Sequence, residues 1–385
     1  MNRNILSLDF YGNEITAVLA AQDEETNTLR LRHALRRPVK AFSGALVRDM
    51  VSAQEELTSI FTEIAEYVSE SPALVVGVRG NFLSFKHTSG FKSIESRNRM
   101  ITQAEIDAAI RNSVPVTLSD TLEVVDILPL SYTIDGNVGI TNPKGMSGFT
   151  LEAETFISYA LVTHLNNLNN VLTQSGCNAY QLMPTCVALG ETILKAEEKQ
   201  AGVLLLDLGE AATSALMYHK GALVDAWELP IGRHTLHEAV AELLQNDLET
   251  TKEILQDYEP GSDEIMDEVL EDAGIKLLEK LKKELVQSSL SYLRTPASQL
   301  VLCGAVADKN LLKLCKKVLG TRKTRLGIFE DLIDDCNATH PAYAGALSLL
   351  THALERENNE QGVSQTKEPG LLDGLLSKLG LGQLF

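Results

Sequence analysis

Short apolar runs bounded by turn-forming residues open the chain. The first three occupy residues 5–9, 15–20 and 29–35. They are separated by a turn containing Gly12 and Asn13 and by a polar loop. Runs of this length, rich in apolar residues and flanked by turn formers, are typical of β-strands. The pattern therefore predicts a three-stranded meander whose first strand ends at Asp9.

The same pattern returns in the second half of the chain. Its three apolar runs occupy residues 203–207, 214–219 and 222–229. The first of these ends at Asp207, and each meander is followed by helical periodicity and one more apolar run, at residues 73–78 and 299–304. We predict two related α/β halves facing each other across a cleft, with Asp9 and Asp207 on opposite walls. Because open sheets bind ligands beyond the carboxyl ends of their strands, the cleft is a candidate nucleotide site. Alternatively, each aspartate only hydrogen-bonds its own turn.

A different unit lies between the halves, at residues 83–163. A helix is predicted over residues 101–110, where Thr102 and Glu105 fit a capping box. Long apolar runs at residues 121–132 and 149–160 predict two further strands. The pattern indicates a small inserted βαββ domain.

The end of the chain changes character twice. After a helix predicted to end near Leu354, residues 355–370 are almost free of large apolar side chains, which is typical of a flexible linker. Residues 371–385 are again apolar, and helical spacing places most of their leucines on one face. This pattern predicts an amphipathic helix in the membrane interface, or alternatively a helix that docks on the protein or on a neighbouring copy. The predicted membrane-binding residues are Leu371, Leu372, Leu375, Leu376, Leu379, Leu384 and Phe385.

The charge and the cysteine content of the chain exclude several classes of protein. The 385 residues include 34 Lys and Arg against 52 Asp and Glu, a net charge of −18. A surface this acidic repels phosphate backbones, so nucleic acid is not an expected partner. The five cysteines form no C-x-x-C pair, and the pattern predicts neither a disulfide framework nor a metal site. With no signal-peptide pattern at the start, we expect a cytoplasmic protein whose membrane contact is peripheral.

Several motifs together resemble FtsA, the bacterial actin homologue that links the tubulin-like FtsZ ring to the membrane. They include the strand that ends at Asp9, GVLLLDLG at residues 202–209, VLCG at residues 301–304 and the amphipathic tail. The most specific is NPKGMSGFTLE at residues 142–152, because it lies in an inserted unit that general actin-like ATPases lack.

The resemblance implies an α/β chain with the actin-like ATPase fold, built from duplicated RNase H-like halves, an inserted βαββ subdomain and a C-terminal amphipathic helix. It implies these units: subdomain IA at 1–82 and 164–198, inserted subdomain 1C at 83–163, subdomains IIA and IIB at 199–340, a closing helix of IA at 341–354, a linker at 355–370 and a membrane-targeting helix at 371–385. The implied partners are the C-terminal peptide of FtsZ, further copies of the chain in a protofilament, later division proteins and membrane lipid. The implied location is the cytoplasmic face of the membrane at the division site.

The resemblance also implies ATP with Mg²⁺ as the cofactor, and this is where the sequence departs from the family. The implied nucleotide-binding residues are Asp9, Gly12, Asn13, Asp207, Gly209, Thr213, Gly232, Glu249, Lys252 and Gly304. The first phosphate turn, FYGNE at residues 10–14, carries an aromatic residue where the family has glycine and an acid where it has a cation. Glu210 adds an acid to the second turn. We therefore expect a degenerate site with no catalytic residue, in which the nucleotide is bound weakly or has been lost.

Three alternatives stay open. Glu249 and Lys252 also fit an ordinary surface pair three residues apart on a helix. The chain could be an active actin-fold ATPase, although the eroded turns argue against hydrolysis. It could also be a PilM-like scaffold of an envelope or pilus machine, which shares the duplicated fold and the insertion.

Overall fold

A computed structural model describes residues 2–23, 28–116, 119–259, 261–288, 299–329 and 332–361. The strands are β1 (Asn2–Tyr11), β2 (Glu14–Asp23), β3 (Leu29–Pro38), β4 (Phe42–Ser43), β5 (Leu46–Val47), β6 (Ala73–Val78), β7 (Leu83–Ser93), β8 (Leu122–Ile134), β9 (Asn137–Ile140), β10 (Thr150–Leu161), β11 (Gln181–Pro184), β12 (Val203–Leu208), β13 (Thr213–His219), β14 (Ala222–Leu229), β15 (Gln299–Cys303), β16 (Lys323–Leu326) and β17 (Ile333–Asp334). The helices are α1 (Met50–Ala65), α2 (Gln103–Arg111), α3 (Val162–Gln174), α4 (Thr185–Ile193), α5 (Ala196–Ala201), α6 (Arg233–Leu244), α7 (Leu248–Asp257), α8 (Glu264–Ser288), α9 (Lys309–Leu319) and α10 (Ala344–Gln361), with a 3-10 turn at Pro341–Tyr343.

The two predicted halves are built on sheets that share the order of five strands, and β17 adds a sixth strand to the edge of the first sheet. The first sheet has the order β11-β6-β1-β2-β3-β17, and the second has the order β14-β13-β12-β15-β16. In both, an antiparallel meander continues into two parallel strands. Asp9 lies opposite Gly77 on β6, and Asp207 lies opposite Cys303 on β15. The two aspartates therefore occupy equivalent positions, which confirms the predicted duplicated α/β fold.

The inserted unit is a four-stranded antiparallel sheet of order β7-β10-β8-β9, with α2 packed against β7 and β10. Part of the predicted capping box is present, because the Thr102 N–H donates to the Glu105 carboxylate at 2.9 Å. The β8–β9 hairpin turns at Asp135 and Gly136, whose φ angles are +48° and +85°. Positive φ at both central residues suits the twist of a two-residue hairpin. The short strand β9 was not predicted.

Helix α10 continues to Gln361, so the predicted end near Leu354 was wrong. Its buried face packs on β1, β6 and α4. The polar residues beyond Leu354 have partners that the sequence pattern did not reveal. Arg356 forms two hydrogen bonds with the buried carboxylate of Asp126 on β8, at 2.7 and 2.8 Å. Glu357 accepts two hydrogen bonds from Arg3 on β1, at 2.6 and 3.1 Å. These contacts explain why the first part of the predicted linker is helical.

Within the part of the chain that the structure describes, none of the helices combines the length and apolar character needed to span a bilayer. The predicted membrane-binding residues and most of the predicted linker lie beyond residue 361, outside the described residues.

Candidate functional site

The duplicated topology brings two buried carboxylates to one place between the halves. Asp9 comes from the carboxyl end of β1, and Asp207 comes from the equivalent end of β12. Arg79 follows directly after β6, the parallel strand next to β1. The side chains of Arg79, Asp9 and Asp207 are only 4%, 5% and 2% exposed. The three groups therefore meet in an environment almost free of solvent.

Arg79 joins the two aspartates. Its Nε donates to Asp9 Oδ1 at 2.8 Å, and its Nη1 donates to Asp207 Oδ2. Asp9 also accepts a hydrogen bond from Thr185 Oγ1 at 2.9 Å. The Tyr11 hydroxyl donates to Asp207 Oδ1 at 2.7 Å, and the guanidinium carbon of Arg79 lies 4.3 Å from the centre of the Tyr11 ring. Asp9, Tyr11, Arg79 and Asp207 form what we call the Arg79 cluster.

The Tyr11 ring fills the space beside two glycines of the predicted nucleotide site, Gly209 of the second phosphate turn and Gly304 of the adenosine turn. A Cβ atom on Gly209 would lie 2.7 Å from Tyr11 Cζ, and one on Gly304 would lie 2.5 Å from the Tyr11 hydroxyl oxygen. Gly304 also has a φ of +100°, a conformation that side chains rarely adopt. A Cβ would also meet backbone, at 2.8 Å from the Ala212 carbonyl oxygen for Gly209 and closer still to the Leu208 carbonyl oxygen for Gly304. The Tyr11 ring is therefore one of two close neighbours that require glycine at these positions.

The amino-terminal end of α6 is also occupied by the protein. The N–H groups of Arg233 and His234 donate to the carbonyl oxygens of Gly209 and Glu210, both at 2.8 Å. A Cβ on Gly232 would lie 2.6 Å from the Gly209 oxygen, so this close approach requires glycine. Free N–H groups at a helix start attract anions. Two of those groups are used here to hold the second predicted phosphate turn against the helix.

Charge within the Arg79 cluster is unequal, with one guanidinium facing two carboxylates. Burial raises the pKa of Asp9 above its ordinary value, and the Arg79 guanidinium opposes that rise. Burial by itself disfavours the charged form of Arg79, but Asp207 and Asp9 more than offset this and hold its pKa well above the usual range. The surroundings of the cluster therefore favour a cation at Arg79 and resist further negative charge.

Glu228 on β14 is a third acid beside the cluster. Its carboxylate accepts a hydrogen bond from Ser214 Oγ at 2.7 Å. Although part of the residue's surface stays exposed, burial of the carboxyl group raises the pKa of Glu228 to about 7, and Arg79 only partly opposes this rise.

The acids expected beside the phosphates are paired with arginines. Glu14 pairs with Arg36 of β3, and Glu210 lies 3.4 Å from Nη1 of Arg233. The two predicted phosphate turns also approach each other, because a Cβ on Gly12 would lie 3.1 Å from Glu210 Cβ.

The remaining predicted nucleotide residues have local roles in this structure. The Asn13 carbonyl accepts a hydrogen bond from the Val39 N–H at 2.8 Å. Thr213 is buried, and its hydroxyl donates to the Ile231 carbonyl at 2.5 Å. Glu249 and Lys252 pair at 2.8 Å on the surface of α7, as the alternative interpretation expected. The structure thus gathers Asp9, Asp207, Gly209 and Gly304 around Arg79 and Tyr11, and places the Glu249–Lys252 pair on an exposed helix face.

Sequence reasoning did not identify Arg79 as part of the site. One signal was available, because Arg79 is a basic residue directly after an apolar run, residues 73–78, that was predicted to be a strand. Strands that run parallel bring their carboxyl ends to the same edge of a sheet, so a residue after the fourth strand of the half could reach Asp9.

The architecture places the chain among proteins with the actin-like ATPase fold. A solved structure described as a PilM-PilN type IV pilus biogenesis complex superposes with a TM-score of 0.67 and 17% identity, over 92% of this chain and 99% of that one. MreB 5 of Spiroplasma citri bound to AMPPNP gives a TM-score of 0.50 and 12% identity, over 94% of this chain and 99% of that one. At these identities the likeness shows the fold alone.

Sequence comparison is more specific. Residues 80–158 match the family model described as the SHS2 domain inserted in FTSA. The chain is 23% identical to the cell division protein FtsA of Neisseria meningitidis, over 98% of this chain and 97% of that protein. It is 26% identical to FtsA of Bacillus subtilis, over 66% of this chain and 58% of that protein. The chain is a relative of FtsA, as its motifs predicted.

Proposed function

We propose that this chain is an FtsA-like cell division protein that tethers FtsZ filaments to the cytoplasmic face of the membrane. It polymerises through its actin-like body and helps to recruit later division proteins. The observation that carries the proposal is the relationship to FtsA along nearly the whole chain, together with the inserted domain at residues 80–158.

The inserted sheet supports a role in protein contacts. Phe91 on β7 is 62% exposed and Phe149 is 63% exposed, and the guanidinium carbon of Arg99 lies 4.8 Å from the centre of the Phe149 ring. Large aromatic side chains and arginine are enriched at protein interfaces. We propose this unit as a surface for neighbouring copies or later division proteins.

The membrane step is assigned to residues 371–385. Asp373 and Lys378 cancel in charge, so attraction to anionic lipid contributes little and insertion of leucines carries the binding. One weak anchor is sufficient for a protein that works as a polymer, because linked copies gain avidity. Each inserted leucine contributes about 1.5–3 kcal/mol.

Liposome co-sedimentation tests the membrane step with two neighbouring substitutions. Leu376→Asp places a carboxylate on the predicted apolar face, and the control Ser377→Asp places the same group on the polar face. Losing one leucine's burial weakens binding by roughly tenfold or more. The Leu376→Asp protein is expected to remain in the supernatant, whereas the Ser377→Asp protein is expected to sediment with the liposomes. Equal sedimentation of both variants and of a chain ending at Pro369 would remove the anchor from the proposal.

We also propose that the nucleotide site is degenerate and that the protein works as a scaffold without appreciable hydrolysis. Support comes from the Tyr11 ring beside Gly209 and Gly304, and from the α6 N–H groups that are bonded to the chain's own carbonyls. A phosphate-release assay with Mg-ATP tests this, and steady turnover that is lost in Asp207→Asn would favour an active ATPase.

A further inference from the structure

Two buried carboxylates that face each other across two halves of a protein need positive charge between them. Without it, desolvation and mutual repulsion would drive the halves apart or force protonation. In nucleotide-binding folds of this kind a metal ion bound with the ligand can supply such charge. In this chain the charge between Asp9 and Asp207 comes from the side chain of Arg79.

We propose that Arg79 is a built-in replacement for that ligand-borne charge, so that the two halves are held closed without nucleotide. The guanidinium bonds to Asp9 of the first half and to Asp207 of the second half. Tyr11 of the first half makes a second link, because its hydroxyl donates to Asp207 at 2.7 Å. This closure rests on the degenerate nucleotide site proposed above, and it does not depend on FtsZ or on membrane binding.

The space for a nucleotide with Mg²⁺ is not preserved around these residues. The guanidinium lies between the carboxylates that would face a metal ion, and the Tyr11 ring occupies the space beside Gly209 and Gly304. The N–H groups of Arg233 and His234 at the start of α6 are bonded to backbone carbonyls. A polyphosphate would have to displace a buried ion pair, a buried aromatic ring and a helix cap at once.

The arrangement is specific to arginine. A guanidinium presents several donors in a rigid fork and can bond two carboxylates in different directions. Its central carbon also lies over the Tyr11 ring, 4.3 Å from the ring centre, which favours a cation there. Lysine at position 79 would supply charge without that geometry, so Arg79→Lys is expected to restore only part of the effect.

Thermal melting of the full chain with and without millimolar Mg²⁺ or Mg-ATP tests the proposal. The wild type is expected to melt at the same temperature in all three conditions. Arg79→Met keeps the aliphatic stem but leaves two buried carboxylates without a cation, and is expected to lower the melting temperature by roughly 5 °C or more. Arg325→Met is the control, because Arg325 also makes two 2.7 Å bonds to one carboxylate, that of Glu198, away from the cluster.

Mg²⁺ separates the proposal from a general loss of packing. In Arg79→Met the freed carboxylates are expected to accept the metal, so Mg²⁺ raises the melting temperature of this variant and not that of the wild type. The triple variant Asp9→Asn, Arg79→Met, Asp207→Asn removes the guanidinium and the two carboxylates that it joins, and is expected to melt above Arg79→Met, without the response to Mg²⁺. It also keeps the test decisive if Arg79→Met does not fold.

Hydrogen exchange locates the effect. In Arg79→Met, amides at the carboxyl ends of β1 and β12 are expected to exchange faster, while those of β8 and β10 keep wild-type rates. The proposal is overturned if Mg-ATP stabilises the wild type in a saturable way, or if Arg79→Met melts and exchanges like Arg325→Met.

Discussion

Glu228 makes the stability of the protein depend on pH in a direction that can be measured. Its pKa rises from an ordinary value of 4.5 to about 7 because its carboxyl group is buried beside the Arg79 cluster. A group with a higher pKa in the folded state favours folding while it is protonated. Its contribution is therefore complete below about pH 4.5 and is lost as the pH rises through about 7. A difference of 2.5 units corresponds to about 3 kcal/mol in total, of which about 2 kcal/mol falls between pH 5.5 and pH 8.

The substitution Glu228→Gln removes this titration while keeping the shape of the side chain. As the pH rises from 5.5 to 8, the free energy of unfolding of Glu228→Gln, measured by urea denaturation, is expected to increase by about 2 kcal/mol relative to that of the wild type. Glu154→Gln is a matched control. Glu154 also accepts a hydrogen bond from a serine hydroxyl, that of Ser131 at 2.8 Å, but it lies on the exposed side of the inserted sheet. If the difference in unfolding free energy between Glu228→Gln and the wild type is the same at both pH values, Glu228 does not titrate in this way.

Three further outcomes follow from single contacts. Burial lowers the pKa of His352 from 6.5 to about 4, so the wild type is expected to lose stability as the pH falls through that range. His352→Phe is expected to lose less. Urea denaturation at pH 7 and pH 5 tests this, and an equal loss in both proteins would contradict it. Arg356→Met leaves the buried carboxylate of Asp126 unpaired and is expected to lower the free energy of unfolding by about 3–5 kcal/mol. An unchanged melting curve in calorimetry would contradict this. Gly209→Ala places a Cβ 2.7 Å from the Tyr11 ring and 2.8 Å from the Ala212 carbonyl oxygen, and is expected to cost about 1–3 kcal/mol. In a Tyr11→Ala background the cost is expected to be smaller but not zero, because the carbonyl contact remains. Equal costs in both backgrounds, measured by urea denaturation, would argue against the Tyr11 contact.

The sheets could be predicted because their signals are local. Apolar runs, turn residues and the repeat of a strand ending in aspartate placed β1 and β12 at equivalent positions. The predicted strand at residues 73–78 coincides with β6. A short apolar run bounded by polar residues is typical of a buried strand in an α/β protein.

The bond between Arg79 and Asp207 and the end of α10 could not be predicted, because their causes are distant in sequence. Arg79 and Asp207 are 128 positions apart, and Arg356 and Asp126 are 230 apart. No local period reports such pairs. A polar stretch such as residues 355–361 therefore resembled a linker until the partners of Arg356 and Glu357 were known.

We propose that this chain connects FtsZ to a membrane. The most direct measurement is the amount of FtsZ that sediments with liposomes in the presence of the full chain, compared with a chain ending at Pro369. FtsZ is expected to enter the pellet with the full chain and to stay in the supernatant with the shorter one, while both chains bind FtsZ in solution. If the full chain reaches the liposomes and FtsZ stays in the supernatant, the chain does not tether FtsZ.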